Sequence, residues 1–428
     1  MYRSFLSAGL LALALHAGAQ SYVHRVLVLN EGYFDYFGTG EQVVPVTLGS
    51  YDPATGTYTT VATLAGPRFG SDVLVDGSSV FVAADDRVLR FDADSYLQTG
   101  EAFVQGVRKL AVWNDQLLMT RGELGGLEHY LEVRDKNTLE FLYAVTPEDG
   151  LVHSAEDILV LEDKAYLAVN NSFDWENVVG RVGVLDLQTG TYGNEVDLGP
   201  EGRNPERLMV HEGDIIAFNN KDFTGSSISR IAVDDGTLTY TNNVSLNSGC
   251  AASTLVEATE QVYYMEYDQG ELARYDLANA EVADTLTGSP SVYGLIEDPI
   301  NGVLYGTTTD YFSSGELHVL SLTGQVQGTV PVGVAPGNLA LDIRSTTAVA
   351  ERSGVRLAVF PNPAQDHMTV TGIADQGLLR IHDATGRTVL EQQIRGTQER
   401  AVVNVAALPA GVYTVDAQGK GVVRFTKE

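Results

Sequence analysis

Short apolar segments separated by turn residues recur along most of the chain. In the clearest copy, two apolar strands within residues 157–169 flank a tight turn at Glu162 and Asp163, and a third strand follows at residues 181–187. None of these segments carries the three- and four-residue spacing of an amphipathic helix over a helix's length. The pattern therefore predicts an all-β chain of short strands and hairpins.

These strands belong to a repeated unit. The second strand of each unit begins near Val26, Val80, Leu117, Ala165, Ile215, Val262 and Val303. The mean step between these starts, about 46 residues, is close to the ~40–45 residues of a four-stranded propeller blade. Seven units fill the segment, which predicts a seven-bladed β-propeller over residues 20–344.

The two ends of the repeat complement each other. The repeat opens on a second strand at residues 26–29 and closes on an unpaired first strand at residues 337–343. We expect these strands to pair within one blade, because that pairing closes the ring and removes its open edges.

Several third strands end in an Asp followed four residues later by Gly, as in Asp52–Gly56 and Asp186–Gly190. Such Asp residues could ligate a metal. A hairpin turn is the better interpretation, because Asp caps its own backbone and Gly accepts a positive φ.

The segments that flank the repeat carry their own signals. Residues 1–19 combine Arg3, a short apolar run and Ala17-Gly18-Ala19, the order of a signal peptide cleaved after about Ala19. No other stretch approaches the apolar length of a transmembrane helix. A polar linker over residues 345–356 leads to residues 357–428, whose alternating strands predict a small Ig-like β-sandwich.

Charge is distributed unevenly between these regions. Residues 21–354 hold 18 Lys and Arg against 49 Asp and Glu, whereas residues 355–428 hold eight basic and seven acidic side chains. The acidic body argues against nucleic acid as a partner, because like charges repel. With Cys250 as its only cysteine, the chain can form neither an intrachain disulfide nor a thiolate cluster.

Four motifs in the C-terminal region resemble the type IX secretion C-terminal sorting domain. They are Pro361-Asn-Pro363, the Asp383-x-x-Gly-Arg387 hairpin, the Leu408-x-x-Gly-x-Tyr413 strand and the basic strand at residues 421–427. An ordinary Ig-like carbohydrate-binding domain is the alternative. The resemblance implies export from a Gram-negative cell by the type IX machinery, and a secreted or cell-surface location.

The repeat itself resembles the YncE-like, YVTN-type propellers of bacterial surface proteins. Its opening, Val28-Leu-Asn-Glu-Gly32, is similar to the start of a subfamily of secreted propellers. Some surface propellers similar to these capture cobalamin for uptake, so the resemblance implies a corrinoid as one candidate ligand and an outer-membrane transporter as one candidate partner.

Strand parity places the longer loops of the blades on one face of the ring, and four of these loops are rich in aromatic and acidic residues. The candidate binding residues are Tyr33, Phe34, Tyr36, Phe37, Phe173, Trp175, Asp222, Phe223, Tyr311 and Phe312. Exposed aromatic rings on a rigid scaffold favour recognition of a sugar, a corrinoid or a peptide without catalysis. The alternative is that the rings pack on one another.

Two other functions stay open. Polar residues at the starts of the innermost strands would rim the channel, and the enzyme hypothesis rests on four of them: Glu156, Asn204, Glu206 and Asn338. Their oxygens suit Ca²⁺, the candidate cofactor of a metal-dependent hydrolase, lactonase or lyase. Propellers of this type that resemble lactonases use such residues. A structural or adhesive surface protein is the third hypothesis.

Overall fold

A computed structural model describes residues 20–193, 195–221, 225–246, 252–346, 357–371, 373, 377–394, 400–417 and 421–428. Contacts between residues divide the chain into two compact units, Gln20–Thr346 and a C-terminal unit that begins at Thr347. The predicted signal peptide, most of the predicted linker and Cys250 lie outside the described residues.

The first unit is a seven-bladed β-propeller, as predicted. Each blade is an antiparallel sheet with four positions, named A to D from the channel outward. Blade 1 comprises, from A to D, Pro336–Thr346, Gln20–Asn30, Val46–Asp52 and Thr57–Leu64, and blade 2 comprises Asp72–Asp76, Ser79–Ala84, Arg87–Asp92 and Gln98–Phe103. Blade 3 comprises Val107–Trp113, Gln116–Arg121, Leu131–Asp135 and Phe141–Val145. Blade 4 comprises Ala155–Leu161, Lys164–Val169, Arg181–Asp186 and an outer strand that is split into Thr191–Tyr192 and Val196–Asp197. Blade 5 comprises Pro205–His211, Asp214–Asn219, Ser226–Ala232 and Thr237–Val244. Blade 6 comprises Ser253–Val256, Gln261–Glu266, Glu271–Asp276 and Glu281–Leu286. Blade 7 comprises Gly294–Asp298, Val303–Thr308, Ser314–Ser321 and Val326–Val334.

Blade 1 closes the ring with strands from both ends of the repeat. Pro336–Thr346 pairs antiparallel with Gln20–Asn30, with Val26 opposite Leu341 and Val28 opposite Leu339. The predicted closing pair is therefore present. It leaves blade 1 with the same four strands as its neighbours and no unpaired inner edge.

The core lies between the blades. Seven apolar clusters each join two successive blades around the ring. In strand B of blade 2, Val80 and Val82 pack toward blade 1, while Phe81 and Ala83 pack toward blade 3. Because successive side chains point to opposite faces of a strand, a strand covered on both faces must be apolar at every position. This explains the continuous apolar runs in the sequence.

Two aspartates fasten neighbouring A strands together at the ring's centre. An Asp72 oxygen accepts the Leu110 N–H of blade 3 at 2.9 Å, and an Asp157 oxygen accepts the Leu208 N–H of blade 5 at 2.7 Å. Beside these residues runs a central cavity of about 310 Å³, lined by the A strands with Asp72, Asp157, Arg207 and Asn338 among its lining residues.

The irregular segments are short. Two single-turn 3₁₀ helices, Pro147–Asp149 and Glu257–Thr259, lie between strands, and a small ladder pairs Tyr33–Phe34 with Gln42–Val44 inside the first loop. The predicted hairpin turns form as expected. Gly56 and Gly190 adopt φ of 67° and 70°, and their N–H groups bond to Asp52 and Asp186 at 2.8 Å.

The C-terminal unit is a two-sheet sandwich. One sheet comprises Ala358–Phe360, His367–Thr371 and Arg400–Asn404, and the other comprises Gly377–His382, Thr388–Ile394, Gly411–Ala417 and Gly421–Lys427. Alternate residues of both sheets, among them Val370, Leu379, Val403 and Phe425, form one buried cluster. The all-β class and the architecture of both units agree with the sequence prediction.

Candidate functional site

The B–C loops and the connections between blades share one face of the propeller, here called the loop face. The A–B and C–D turns form the opposite turn face. The longer loops of the loop face follow the B strands of blades 1, 3 and 4, at residues 31–45, 122–130 and 170–180. The scaffold therefore presents its irregular segments on one side of the ring.

Aromatic rings from blades 1 and 7 surround the first pocket, a cavity of about 480 Å³ on this face. Its lining includes six of the predicted binding residues: Tyr33, Phe34, Tyr36, Phe37, Tyr311 and Phe312. The Tyr33 and Phe312 rings meet edge to face with centroids 5.3 Å apart, and Phe34 lies 4.7 Å from Tyr36. The structure thus brings together rings that are almost 280 residues apart in sequence.

Several of these rings stay exposed despite their contacts. Phe37 is fully exposed, and the exposed fractions of Tyr36 and Phe312 are 55% and 66%. Rings that were packed completely against other side chains would not be exposed to solvent. The rings therefore pack on one another and still present open faces, and recognition through those faces stays a prediction.

Two acidic side chains, Asp35 and Asp310, stabilise the loops in which they lie. Asp35 accepts N–H groups from Gly38 at 2.9 Å and Thr39 at 2.8 Å, and Asp310 accepts them from Phe312 and Ser313. In both cases the donated hydrogen bonds lower the pKa of the carboxyl group. These acids shape the loops on which the rings stand.

A carboxyl group and an arginine also line the first pocket. Glu31 accepts the Tyr293 hydroxyl at 2.9 Å, and burial raises the pKa of Glu31 to about 7 against the opposing effect of Lys109 and Arg108. Arg68 is held by two carboxylates, Asp85 and Glu123. The pocket therefore offers polar groups beside its rings.

Predicted residues Phe173 and Trp175 lie in a second pocket, a cavity of about 440 Å³ shared by the loops of blades 3 and 4. Trp175 is 80% exposed. Phe173 packs on Gly122, where an added Cβ would lie 2.2 Å from the ring, so the ring's position depends on that glycine. The predicted set is thus divided between two pockets. Its remaining members, Asp222 and Phe223, lie outside the described residues.

The channel mouth between the loops holds an ion pair. Arg108 donates two hydrogen bonds to the Glu156 carboxylate, at 2.7 and 3.0 Å, and the guanidinium lies 5.8 Å from the Phe69 ring centroid and 5.5 Å from that of Phe173. Burial opposes ionisation of Glu156, but Arg108 holds its pKa below the ordinary value. Glu156 is therefore a carboxylate.

Glu206 is also buried, but its pKa shifts in the opposite direction to that of Glu156. It accepts hydrogen bonds from Asn204 at 3.3 Å and Asn220 at 2.7 Å. Burial, together with the charge of Glu156, raises the pKa of Glu206 to about 8. Glu206 therefore carries a proton at neutral pH while Glu156 does not.

The predicted calcium ligands are only partly gathered. Asn204 contacts Glu206, whereas Glu156 bonds to Arg108 and the Asn338 amide oxygen accepts Lys109 Nζ at 2.6 Å. Two cations thus occupy bonding positions beside these oxygens. Within the part of the chain that the structure describes, no three His, Cys, Asp or Glu side chains are grouped to hold a metal ion. The calcium site stays a prediction.

Sequence reasoning missed several residues that line the pockets, four of which are charged or aromatic and lie outside the loops that carry the predicted residues. Arg68 and Phe69 come from the connection between blades 1 and 2, and Glu123 and Tyr130 from the B–C loop of blade 3. A basic and an aromatic residue side by side in an acidic body was the signal available for the first two. The loop of blade 3, with its paired glycines 125 and 126, gave none.

Comparison with known proteins assigns the C-terminal unit. Residues 358–427 match the family described as "Secretion system C-terminal sorting domain". The predicted type IX sorting domain is thereby confirmed, and it indicates export to the cell surface or the medium. No curated protein matches the chain by sequence. No helix in the described part of the chain has the length and apolar character needed to cross a membrane.

Comparison with solved structures supports the fold of the first unit. A hypothetical selenium-binding protein from Sulfolobus tokodaii aligns with a TM-score of 0.56 and 13% identity, over 77% of this chain and 95% of the other. A functionally unknown protein from Desulfotomaculum acetoxidans gives 0.52 and 12% over 74% and 98%. Hydrazine synthase from Kuenenia stuttgartiensis gives 0.51 and 15% over 64% and 89%. At these identities the likeness shows the fold alone.

Proposed function

We propose that this protein is a non-enzymatic ligand-binding propeller that acts outside the cell and binds its ligand at the first pocket. The observation that carries the proposal is the group of half-exposed rings from blades 1 and 7 around one cavity. Pockets of this size that combine aromatic walls with a few polar groups are typical of small-ligand sites. Here Glu31 and Arg68 supply the polar groups.

The exposure of these rings supports binding because it is unfavourable without a partner. Burying apolar surface stabilises by about 25 cal/mol per Å², and an aromatic side chain can bury roughly 150–250 Å². A ligand that covers Tyr36, Phe37 and Phe312 would recover part of this free energy. The loops need little further ordering, since Asp35 and Asp310 already hold them.

The proposed route of export joins the two ends of the chain. Residues 1–19 would direct the protein across the inner membrane of a Gram-negative cell and be cleaved after about Ala19. The sorting domain would then engage the type IX machinery. The mature propeller, of YncE-like type, would be released or anchored at the surface, where an outer-membrane transporter is a candidate partner for ligand uptake.

Isothermal titration calorimetry tests this function with three probes: cyanocobalamin, neutral oligosaccharides and short peptides. At least one should bind the full chain, and Tyr36→Ala with Phe312→Ala should weaken it by about tenfold or more, since removal of a ring anchor typically costs over 1 kcal/mol. Phe103→Ala is the matched control, because Phe103 is 68% exposed on the outer strand of blade 2, away from the pocket. Unchanged binding in the double variant would refute the site, and silence of all three probes would favour an adhesive or structural role.

A second candidate is a hydrolase or lyase at the channel mouth. It is favoured by the opposite protonation of Glu156 and Glu206, because paired carboxyl groups with separated pKa values suit acid–base catalysis. Glu206 would be the general acid, and Ca²⁺ is a candidate cofactor. Glu206→Gln should abolish turnover of any lactone or glycoside substrate that is found. Undiminished turnover would exclude this mechanism.

A further inference from the structure

The two pockets of the loop face share their walls. Arg68 lines the first pocket and bonds to Glu123, which lines the second, with 2.7 Å between Nη2 and Oε2. Arg108 lies over Phe69 of the first pocket on one side and Phe173 of the second on the other. Only one layer of side chains therefore separates the cavities, and that layer is polar.

Aromatic rings stand at both ends of this arrangement. Tyr36, Phe37 and Phe312 mark the end over blades 1 and 7, and Trp175 with Tyr130 marks the end over blades 3 and 4. The rings at each end keep open faces. A long ligand could stack against one end, cross the polar layer and stack against the other.

The charges in the layer nearly compensate one another, with two arginines against three carboxylates. Arg68 pairs with Asp85 and Glu123, and Arg108 pairs with Glu156. The surrounding propeller carries a large acidic excess, which opposes polyanions. A neutral chain rich in hydroxyl groups suits this layer best, because its hydroxyls can both donate to the carboxylates and accept from the guanidiniums.

We propose that the two pockets are the ends of one groove that binds a neutral oligosaccharide across the Arg68–Glu123 pair. One sugar ring would stack in each pocket, and the sugars between them would bond to Arg68 and Glu123. This inference rests on the proposed function and names the ligand class and the second contact. An extended peptide is less well suited, since peptide recognition by strand addition needs a free strand edge, and side chains line this groove.

Calorimetry with length series of neutral oligosaccharides, from disaccharide to octasaccharide in the xylan, mannan, β-glucan and α-glucan families, tests the groove on the full chain. In one family the affinity should rise by about tenfold or more with length and then level off. Trp175→Ala should reduce the affinity for the long chains to that for the short ones and leave the short ones unchanged. Glu123→Gln should weaken the long chains more than the short ones, and Phe103→Ala should change neither.

The outcomes separate this inference from the proposed function. Equal affinity for short and long chains, or long-chain binding that is indifferent to Trp175→Ala, overturns the groove but leaves the first pocket intact. Binding of cyanocobalamin or peptide with no binding in any sugar family overturns the ligand class alone. Indifference of every ligand to the Tyr36→Ala, Phe312→Ala double variant overturns the proposed function itself. Unfolding temperatures of all variants distinguish loss of contact from loss of fold.

Discussion

The two faces of the propeller are built from the same seven blades but carry different chemistry. On the turn face, two-residue turns join the A and B strands of blades 2 to 5, with left-handed positions such as Gly77, Asn114 and Glu162. The charged residues there pair in partial contact with water. On the loop face, arginines, acids and rings from blades 1, 2, 3, 4 and 7 pack into pockets. Turns that recur from blade to blade therefore build the ring, whereas the unrepeated loops form the pockets in which we propose that the ligand binds.

Ion pairs show the same contrast in energetic terms. Arg108 and Glu156 lie largely buried at the channel mouth, with side-chain exposures of 20% and 9%. Lys136 and Asp76 pair at 2.8 Å on the turn face with side-chain exposures of 21% and 35%, so it is the carboxylate of this pair that is more open to water. A buried charge that loses its partner is costly, while exposed pairs contribute little.

The largest expected effect is on the buried pair. Arg108→Met should lower the free energy of unfolding by about 3–5 kcal/mol, because it leaves the Glu156 carboxylate buried without its partner. Lys136→Met should cost about 0–1 kcal/mol. Urea unfolding followed by tryptophan fluorescence suits the measurement, since both tryptophans, Trp113 and Trp175, belong to the propeller.

A double variant checks the cause. Arg108→Met combined with Glu156→Gln should recover most of the lost stability, because no charge then remains buried. If Arg108→Met and Lys136→Met lower the free energy of unfolding by similar amounts, the ion pair of the loop face contributes no more to stability than that of the turn face. The contrast between the faces would then not hold.

The turn face was the more predictable of the two. Asp52–Gly56 and Asp186–Gly190 were recognised because Gly marks the left-handed position. The equivalent positions in blades 2, 3 and 6 hold Tyr96, Leu139 and Ala280, with φ of 55°, 61° and 55°. Tyr96 and Leu139 are retained there by tertiary contacts, since the Tyr96 hydroxyl lies 2.9 Å from Ser50 Oγ and Leu139 is buried in the cluster between blades 2 and 3. Local sequence does not show such contacts.

The loop face was predictable in composition but not in grouping. Strand parity placed the aromatic loops on one side, and the structure agrees. Which loops meet depends on the arrangement of the blades. Closure of the ring brings Tyr33 of blade 1 to Phe312 of blade 7, and the packing of successive blades brings Arg68 to Glu123, 55 residues away. Glu156 pairs with Arg108 of the neighbouring blade, and Asn338 of blade 1 pairs with Lys109 of blade 3. Neither pairing has a signal along the chain.

The next effect is on pH dependence. The pKa of Glu206 is about 8 in the folded protein, above its ordinary value of 4.5. The folded state therefore keeps a proton that the unfolded chain releases, and stability falls as the pH rises from about 4.5 to about 8. Glu206→Gln should remove this loss, so the variant should gain about 2–4 kcal/mol on its parent between about pH 5 and about pH 8.5.

The substitution also changes the free energy of unfolding by an amount that does not depend on pH. Comparing the variant with its parent over the whole pH range removes this constant cost. That cost is small if the side-chain amide of Asn204 flips. Asn204 Oδ1, which has no hydrogen-bond partner, can then accept a hydrogen bond from the amide introduced at position 206. Asp186→Asn is the control on the turn face, where hydrogen bonds lower the pKa of Asp186 and keep it ionised over this range. A parent and a Glu206→Gln variant with parallel pH profiles would show that Glu206 is already ionised at neutral pH.

The smallest expected effect is on the C–D turns, where substitutions in two blades should change the free energy of unfolding in opposite directions. Gly190→Ala should cost about 1 kcal/mol, because a left-handed φ is strained for alanine. Ala280→Gly, in the matching turn of blade 6, should stabilise by about 0.5 kcal/mol, since relief of strain is partly offset by lost packing of the Ala280 methyl group. Thermal unfolding measures both. Neither change should alter ligand binding, because both turns lie on the face opposite the pockets; a variant of either turn that binds more weakly would contradict the division of labour between the faces.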